Sequence, residues 1–180
     1  MFEPDPDVVA AARRGDMAAF ERIVRRYQGD VWRLVFHLVH DRSIADDATQ
    51  NAFLRVYRFL PRFRGDSKFT TWLFSIARNC ALDEVRRARR HKRVADELEM
   101  QHVEPRTEHG TAVEVREALA TLSFELREPL VLIDVFGISY REVAAMLSVP
   151  EGTIKSRVHR AREQLGDLLR DRIEEDAGES

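Results

Sequence analysis

The chain has 180 residues, 44% of them hydrophobic and 33% charged, with a formal net charge of −2. This length suits one domain or two small ones, the composition is typical of helix-rich globular proteins, and eight glycines with six prolines are too few for the turns of an all-β fold. Charge interrupts every apolar run well short of a membrane span, and the near-neutral average gives no sign of a nucleic-acid partner.

The first long helix is predicted after an acidic start. Residues 1–7 lack the basic residues and the apolar core of a signal peptide. Asp16 is a suitable N-cap for a helix that begins at Met17, because apolar residues then recur every three or four positions. We expect Gly29 to bend this helix and Asp41 to close it.

A second helix is predicted between Ser43 and Pro61. Ser43 and Asp46 match a capping box at its start, and Pro61 stops it because proline cannot continue a helix. Its polar face carries acids and amides among apolar residues, which favours a protein-binding surface. An ordinary solvated helix face is the alternative.

A loop and a third long helix follow. Residues 62–69 mix charge with Gly and Ser and indicate a loop, and Thr70 or Thr71 opens the helix, which ends near Arg93. The helix contains the single cysteine of the chain, Cys80, which excludes an internal disulfide and fits a reducing cytoplasm. We interpret Cys80 as a small helix residue without a redox role.

Positive charge is concentrated in the loop and the third helix. Residues 55–93 carry a net charge of +9, against −7 over residues 94–136. Positive charge follows a phosphate backbone, and exposed aromatic side chains stack on bases for ~1–3 kcal/mol each. Four aromatic residues lie at this loop, namely Phe63, Phe69, Trp72 and Phe74. The pattern predicts a surface that binds single-stranded or melted DNA. Trp72 and Phe74, each considered alone, also fit a role in the core. Phe63 and Phe69 are harder to bury.

The periodicity fails after the third helix. Residues 94–111 contain Pro105 and several acids and are predicted to form an acidic, flexible linker. His102 and His109 lie in it without further ligands at metal spacing, so we interpret both as solvated. No metal or cofactor site is predicted.

A second helical set follows the linker. One helix is predicted over residues 113–122 and another over residues 124–136, with Gly137 as a C-terminal cap. A helix-turn-helix occupies residues 139–165, and residues 174–180 form a polar tail.

The helix-turn-helix has all its parts in order. Ser139 and Glu142 match a capping box, and Pro150 in the short turn prevents the first helix from continuing. Apolar residues predicted to face inward are Val143, Ala144, Leu147, Ile154, Val158, Ala161 and Leu165. Donors predicted on the outer surface of the second helix are Lys155, Ser156, His159, Arg160 and Arg162. A helix of this kind reads base edges in the major groove of DNA. A solvated amphipathic helix is the weaker alternative.

Together these motifs resemble bacterial RNA polymerase sigma factors of the sigma-70 family, and most nearly the extracytoplasmic-function (ECF) group. The resemblance covers residues 18–169. The matching runs are ADDATQNAF at residues 45–53, FRGD at 63–66, TWLFSIARN at 71–79, GISY at 137–140, GTIKSR at 152–157 and RAR at 160–162.

The resemblance implies a role for each surface. The helix face that would dock on the clamp helices of the polymerase β′ subunit comprises Asp46, Asp47, Gln50, Asn51 and Leu54. The melted −10 promoter element would be bound by Phe63, Ser67, Lys68, Trp72, Asn79, Arg86, Arg87 and Arg90. The duplex −35 element would be bound by Thr153, Lys155, Ser156, Arg157, His159 and Arg160. The acidic linker would follow the RNA path of the polymerase.

The sequence thus predicts an all-α protein of two small helical domains joined by a flexible linker, with the helix-turn-helix in the second. The predicted divisions are residues 1–93, resembling sigma region 2, the linker 94–111, residues 112–173, resembling sigma region 4, and the tail. The resemblance implies a cytoplasmic, non-enzymatic initiation factor without a cofactor or membrane insertion. Its partners would be core RNA polymerase, including the β flap, promoter DNA and an anti-sigma factor.

Two other functions fit parts of the pattern. The chain could be a DNA-binding regulator whose N-terminal helices bind a ligand or dimerise, but a dimerisation face should not carry +9. It could also be an adaptor that binds polymerase without reading promoters, but the donor-rich second helix argues against that.

Overall fold

A computed structural model describes residues 2–95 and 117–178. Among these residues the secondary structure is helical, with no strand, and the chain divides into two units, Met1–Glu97 and Leu98–Ser180. The predicted all-α, two-domain architecture is confirmed. In the described ranges, none of the helices has the length and apolar character that crossing a bilayer requires. Most of the predicted linker, with His102 and His109, lies outside the described residues.

Four helices build the first unit. They are α1 (Pro6–Arg13), α2 (Met17–Val39), α3 (Arg42–Phe59) and α4 (Phe69–Ala95), with a 3₁₀ turn at Leu60–Arg62. Helices α2, α3 and α4 pack against one another, and α1 packs on α2 and the 3₁₀ turn. The largest fully buried side chains of this core are Ile23, Tyr27, Leu34, Leu38, Leu60, Leu73 and Phe74. Full burial of a large apolar side chain stabilises the fold by ~1.5–3 kcal/mol.

The junction between α2 and α3 differs from the prediction. Asp16 caps α2 as expected, accepting from the Ala18 and Ala19 amides at 2.9 and 3.1 Å, and α2 runs through Gly29 to Val39 without interruption. The predicted Ser43 capping box is wrong. Asp41 caps α3 instead, accepting from the Ile44 amide at 2.9 Å, because its backbone is extended whereas Ser43 is already helical.

Helix α1 was not predicted. Asp5 caps it by accepting from the Asp7 amide at 2.9 Å, and Pro6 occupies its first turn, where a missing N–H costs nothing. Val9 and Ala12 are its buried residues. A helix of eight residues with only two buried side chains depends on packing against α2 for its stability. Its local sequence has no apolar periodicity from which it could be predicted.

The second unit ends in the helix-turn-helix. A helical stretch at residues 117–121 is followed by α5 (Phe124–Leu130), a π-helical turn (Val131–Val135), α6 (Tyr140–Leu147) and α7 (Glu151–Gly178). Helix α5 and its π turn match the predicted helix over residues 124–136. Helix α7 continues through residues 174–178, which were predicted as part of the tail.

Gly137 ends the π turn as predicted. Its φ of 68° is left-handed, which glycine adopts without a Cβ clash, and its amide donates to the Ile133 carbonyl at 3.0 Å. Nearby, Arg127 donates to the carbonyls of Leu119 and Ala120 at 3.5 and 3.3 Å, and so caps the preceding helical stretch. Burial lowers the pKa of Arg127.

Candidate nucleic-acid interfaces

Side-chain hydrogen bonds fix the start of α6, and backbone hydrogen bonds fix the turn between α6 and α7. Ser139 Oγ accepts from the Glu142 amide at 3.3 Å, and Glu142 Oε2 accepts from the Ser139 amide at 3.2 Å, which is the predicted capping box. Helix α6 ends at a left-handed Ser148, and Pro150 accepts from the Thr153 amide at 2.9 Å to begin α7. The bounds of α6 and the start of α7 are therefore set by residues 139–153.

The N-terminal half of α7 has one buried side and one exposed side. Ile154, Val158 and Ala161 are buried, as predicted, where α7 packs on α5 and α6. The exposed donors of the predicted −35 set are Lys155, Ser156, His159 and Arg160, while Thr153 and Arg157 are half-buried. An exposed row of donors on the second helix is what major-groove binding requires.

The exposed donors make contacts only within α7 in the described hydrogen bonds and ion pairs. Lys155 pairs with Glu151 at 2.8 Å, His159 lies 3.4 Å from Glu163, and Ser156 Oγ donates to the Thr153 carbonyl at 3.0 Å. The hydrogen bond and charge of Glu151 raise the pKa of Lys155. Solvent-exposed pairs of this type are weak, so they can be exchanged for phosphate or base contacts at little cost.

Two other arginines hold α7 in place. Arg157 pairs with Glu125 of α5 at 3.3 Å, and its side chain is only 25% exposed. Arg162 donates two hydrogen bonds to the Asp134 carboxylate, at 2.6 and 3.0 Å, and this pairing raises the pKa of Arg162. Arg162, predicted to be an outer-surface donor, is thus already engaged within the unit. A forked guanidinium–carboxylate pair adds orientation as well as energy.

An aromatic cluster lies at the loop before α4. The Phe63 ring is 4.9 Å from Trp72 and 5.8 Å from Phe69, centroid to centroid, and Phe69 lies 6.1 Å from Tyr27. Phe63 and Trp72 are half-buried. The expectation that Phe69 is exposed is wrong: it is 4% exposed, because its ring fills the space between Phe63 and the core residue Tyr27. Phe74 is fully buried, the core alternative considered for it.

The polar members of the predicted −10 set lie on the surface of the same unit. The exposed residues are Ser67 and Lys68 in the loop and Asn79, Arg86, Arg87 and Arg90 along α4. Asn79 Oδ1 accepts from Arg78 at 3.2 Å. The loop thus carries polar side chains and one half-buried ring, Phe63. Helix α4 carries the other half-buried ring, Trp72, and the exposed arginines.

Two acids on α4 connect these arginines to α3. Asp83 lies 3.7 Å from Arg86 and accepts from Arg55 of α3 at 2.8 Å. Glu84 lies 3.9 Å from Arg87 and accepts from Asn51 at 2.8 Å. Sequence reasoning did not identify either acid. Asn51, predicted to bind polymerase, already has a partner within the unit.

An apolar groove of about 490 Å³ runs between α2 and α3. Of the predicted polymerase-binding residues, Asp46, Gln50 and Leu54 line it, and Leu54 is 62% exposed. Its other lining residues are Met17, Phe20, Val24, Gln28, Trp32, Thr49, Phe53 and Tyr57. Phe20 and Val24 are among the apolar residues whose helical spacing predicted α2. This spacing did not indicate that α3 would leave part of the apolar side of α2 uncovered.

Neither a metal-binding cluster nor a reactive thiol lies among the described residues. Among the described residues, no group of three or more His, Cys, Asp or Glu side chains could hold a metal ion. Burial raises the pKa of Cys80 to about 11, with Arg55 partly opposing the rise. The thiol is therefore protonated at neutral pH and is a poor nucleophile.

The chain is helical, its helix-turn-helix carries exposed donors, and its first unit has a basic, aromatic surface. These features are typical of helix-turn-helix transcription proteins. Comparison with known families is more specific. Sigma-70 region 2 matches residues 23–91, and Sigma-70, region 4 matches residues 112–165.

Individual proteins agree with these matches. The ECF RNA polymerase sigma factor SigC of Mycobacterium tuberculosis is 38% identical over 159 residues, covering 86% of this chain and 85% of the relative. The ECF RNA polymerase sigma-E factor of Escherichia coli is 34% identical over 184 residues, covering 92% and 94%. Among solved structures, the sigma factor RpoE in complex with the anti-sigma factor NepR from Bartonella quintana has a TM-score of 0.72 and 28% identity, covering 84% of this chain and 96% of that one.

The chain belongs to the sigma-70 family and is an ECF-type sigma factor. It is accordingly a promoter-recognising, non-catalytic factor that directs transcription initiation by RNA polymerase. The resemblance predicted from the sequence motifs is confirmed.

Proposed function

We propose that the two units read two promoter elements in different states. The exposed side of α7 binds the −35 element as duplex, and the aromatic loop with α4 binds one strand of the opened −10 element. The groove between α2 and α3 docks on the clamp helices of the polymerase β′ subunit. The proposal rests on the match between each surface and its ligand. Exposed donors on a helix suit duplex DNA, aromatic rings with nearby cations suit a single strand, and an apolar groove suits a protein partner.

Duplex reading is assigned to the donors that face away from the core. Arg160 can bind a guanine edge, and Lys155 and Ser156 suit phosphates, with His159 and Thr153 beside them. Each base contact is expected to supply ~1–3 kcal/mol of discrimination. Arg157 completes the predicted set, but its pairing with Glu125 favours a role in holding α7 at the angle that the groove requires.

Single-strand capture is assigned to the loop and α4. Phe63 and Trp72 offer half-buried rings on which a base can stack, and Ser67, Lys68 and Asn79 offer polar groups beside them. The phosphate backbone is assigned to Arg86, Arg87 and Arg90. Opening DNA costs ~1.4 kcal/mol per stacked step, and stacking on a side chain returns a similar amount per base. The polymerase supplies the rest of the free energy that is needed to open the DNA.

Polymerase docking is assigned to the groove, which Asp46, Gln50 and Leu54 line, and to Asp47 and Asn51 on the same helix. We also propose that an anti-sigma factor controls the protein, because the solved sigma factor RpoE, which has a similar fold, is in complex with the anti-sigma factor NepR. The polymerase β flap is the expected partner of the second unit. We also propose that the protein acts in the cytoplasm, where it would meet both RNA polymerase and promoter DNA.

The boundaries that we propose for these functions are those of the sequence analysis. Residues 1–93 bind polymerase and the −10 element, residues 94–111 form the linker, and residues 112–173 bind the −35 element. Residues 174–180 have no assigned role.

Transcription in vitro tests the proposal. Core polymerase, the full chain and a randomised promoter library should yield transcripts that share two conserved elements at a fixed spacing, and Arg160→Ala and Phe63→Ala should alter the upstream and downstream element respectively. Isolated protein should bind the selected duplex weakly. Nanomolar binding to duplex without polymerase, or polymerase binding without promoter choice, would contradict the assignment and support the regulator or the adaptor alternative.

A further inference from the structure

Helix α4 begins beside the proposed −10 loop without a capping side chain from its own sequence. The Trp72 amide donates to the Lys68 carbonyl at 3.1 Å, so Lys68 stands at the N-cap position before Phe69. Lysine has no acceptor to offer the exposed amides of a first helical turn, and its charge is unfavourable at the positive end of a helix. The first turn of α4 therefore needs an acceptor from elsewhere.

Glu3 supplies that acceptor from 66 residues away in the chain. Its Oε2 accepts from the Phe69 amide at 2.8 Å, and its Oε1 accepts from the Thr70 amide at 3.2 Å. Oε1 also accepts from the Thr70 hydroxyl. One carboxylate thus binds three donors of the first turn, with a charge whose sign suits the helix N-terminus.

The segment that carries Glu3 is itself anchored. The Tyr27 hydroxyl, on the buried side of α2, donates to the Phe2 carbonyl at 2.8 Å, and Asp5 caps α1 two residues after Glu3. Burial and the charge of Glu3 raise the pKa of Tyr27, so this donor keeps its proton well above neutral pH. Glu3 is therefore held between two fixed points.

This segment also faces the loop. A cleft of about 350 Å³ separates them, lined on one side by Glu3, Val9 and Arg13 and on the other by Phe63, Ser67 and Lys68. Glu3 contacts the Phe69 amide, and the Phe69 ring packs on Phe63, so we expect a change at Glu3 to reach the loop through Phe69.

We propose that Glu3 is a positioning residue for −10 recognition: it fixes the first turn of α4 and thereby the loop that captures the strand. The inference rests on the proposed single-strand function of that loop. Glu3 is exposed, and the core of the first unit does not include it. Its loss should affect loop geometry more than folding or polymerase docking.

The test uses the full chain assembled with core polymerase. The probe is a fluorescein-labelled, single-stranded oligonucleotide that carries the −10 non-template strand of a promoter selected from a random library. We expect Glu3→Ala to raise the Kd for the oligonucleotide at least five-fold while polymerase affinity changes less than two-fold. Glu3→Gln, which retains one acceptor oxygen, should fall between Glu3→Ala and the unchanged chain. Asp7→Ala, which removes an exposed acid from the first turn of α1, is the matched control and should have no effect.

Hydrogen exchange gives a readout that needs no promoter. The Phe69 and Thr70 amides should exchange at least ten-fold faster in Glu3→Ala, with core amides of α2 unchanged. An oligonucleotide Kd within two-fold of the unchanged chain would overturn the inference. So would parallel losses of oligonucleotide binding, polymerase binding and helical content, since these indicate only a folding role.

Phe63→Ala separates failure of the inference from failure of the proposed function. If Phe63→Ala weakens oligonucleotide binding and Glu3→Ala does not, the loop function stands and the role of Glu3 is wrong. If Phe63→Ala also leaves binding unchanged, the proposed strand-binding loop is wrong and the inference fails with it.

Discussion

The indole nitrogen of Trp32 donates a 2.6 Å hydrogen bond to the Asp46 carboxylate, which joins α2 to α3 at the rim of the apolar groove. The Trp32 ring also stacks on Phe36, with centroids 4.9 Å apart and planes within 7°. Asp46, assigned to polymerase docking, therefore has a structural partner before any polymerase binds. We expect its contribution to docking to include fixing the orientation of the indole.

Variants of Asp46 should distinguish charge from orientation. Asp46→Asn keeps an acceptor for the Trp32 indole and should retain polymerase affinity within three-fold, whereas Asp46→Ala loses the acceptor and should weaken binding at least ten-fold. Competition for core polymerase against a labelled copy of the unchanged chain measures both. Glu21→Ala, which removes an exposed acid of α2 that does not line the groove, is the control and should leave polymerase affinity unchanged. Equal losses for the two Asp46 variants would show that the charge alone matters.

Leu54 should be a docking residue of the groove. Its side chain is 62% exposed, so Leu54→Glu should change the free energy of unfolding by no more than about 0.5 kcal/mol. Placing a carboxylate in an apolar interface should weaken polymerase binding at least ten-fold, about 1.4 kcal/mol. Arg25→Ala on another side of α2 also lowers the net charge by one and is the matched charge control. Unchanged binding by Leu54→Glu would place docking elsewhere.

Arg160 and Arg157 lie three residues apart on α7 and should behave differently. Arg160→Ala should reduce discrimination between the selected −35 element and its single-base variants by ~1–3 kcal/mol without changing stability. Arg157→Ala should instead lower the free energy of unfolding of the second unit by ~0.5–1 kcal/mol through loss of the Glu125 pair. Transcription from promoter variants and chemical denaturation separate the two effects. Specificity loss confined to Arg157→Ala would reverse the assignment.

Cys80 should resist alkylation and give the fold a dependence on alkaline pH. Burial raises the pKa of its thiol from 9.0 to about 11. The folded thiol is therefore neutral at pH 8, and iodoacetamide should modify it far more slowly than in the urea-unfolded chain. Below pH 9 the thiol is neutral in both states, so it causes no pH dependence. Between pH 9 and about pH 11 the unfolded chain loses the proton first, so stability should fall as pH rises.

Comparison with Cys80→Ala isolates that contribution, since other groups also titrate in this range. The difference between the urea midpoints of the two proteins should be constant up to pH 9 and should change above it. Rapid alkylation of the folded chain at pH 8 would mean that the thiol is accessible and that its pKa is not raised.

Features encoded over a few neighbouring residues were predictable from the sequence. The Ser139 and Glu142 capping box, the Asp16 cap and the left-handed Gly137 each depend on residues within four positions of one another. The buried stripe of Ile154, Val158 and Ala161 follows from helical spacing alone. The helix-turn-helix was therefore predictable in outline.

Features that depend on distant residues were not. Phe69 was expected in solvent because its neighbours in sequence are charged, but its ring is covered by Phe63 and Tyr27. The carboxylate that caps α4 comes from Glu3, and no local motif predicts such a partner. At the start of α3, Ser43 matched the local rule for a capping box, and Asp41 was expected only to close α2. Helix α2 instead ends at a left-handed His40, and Asp41 is the extended residue that caps α3.

The two tryptophans of the chain give it a pair of built-in optical reporters. Trp32 lines the groove assigned to polymerase, and Trp72 belongs to the aromatic cluster beside the strand-binding loop. Replacing either one with phenylalanine leaves a single emitter on one surface. Stopped-flow fluorescence of the two resulting proteins can then time docking and strand capture separately, without an attached dye.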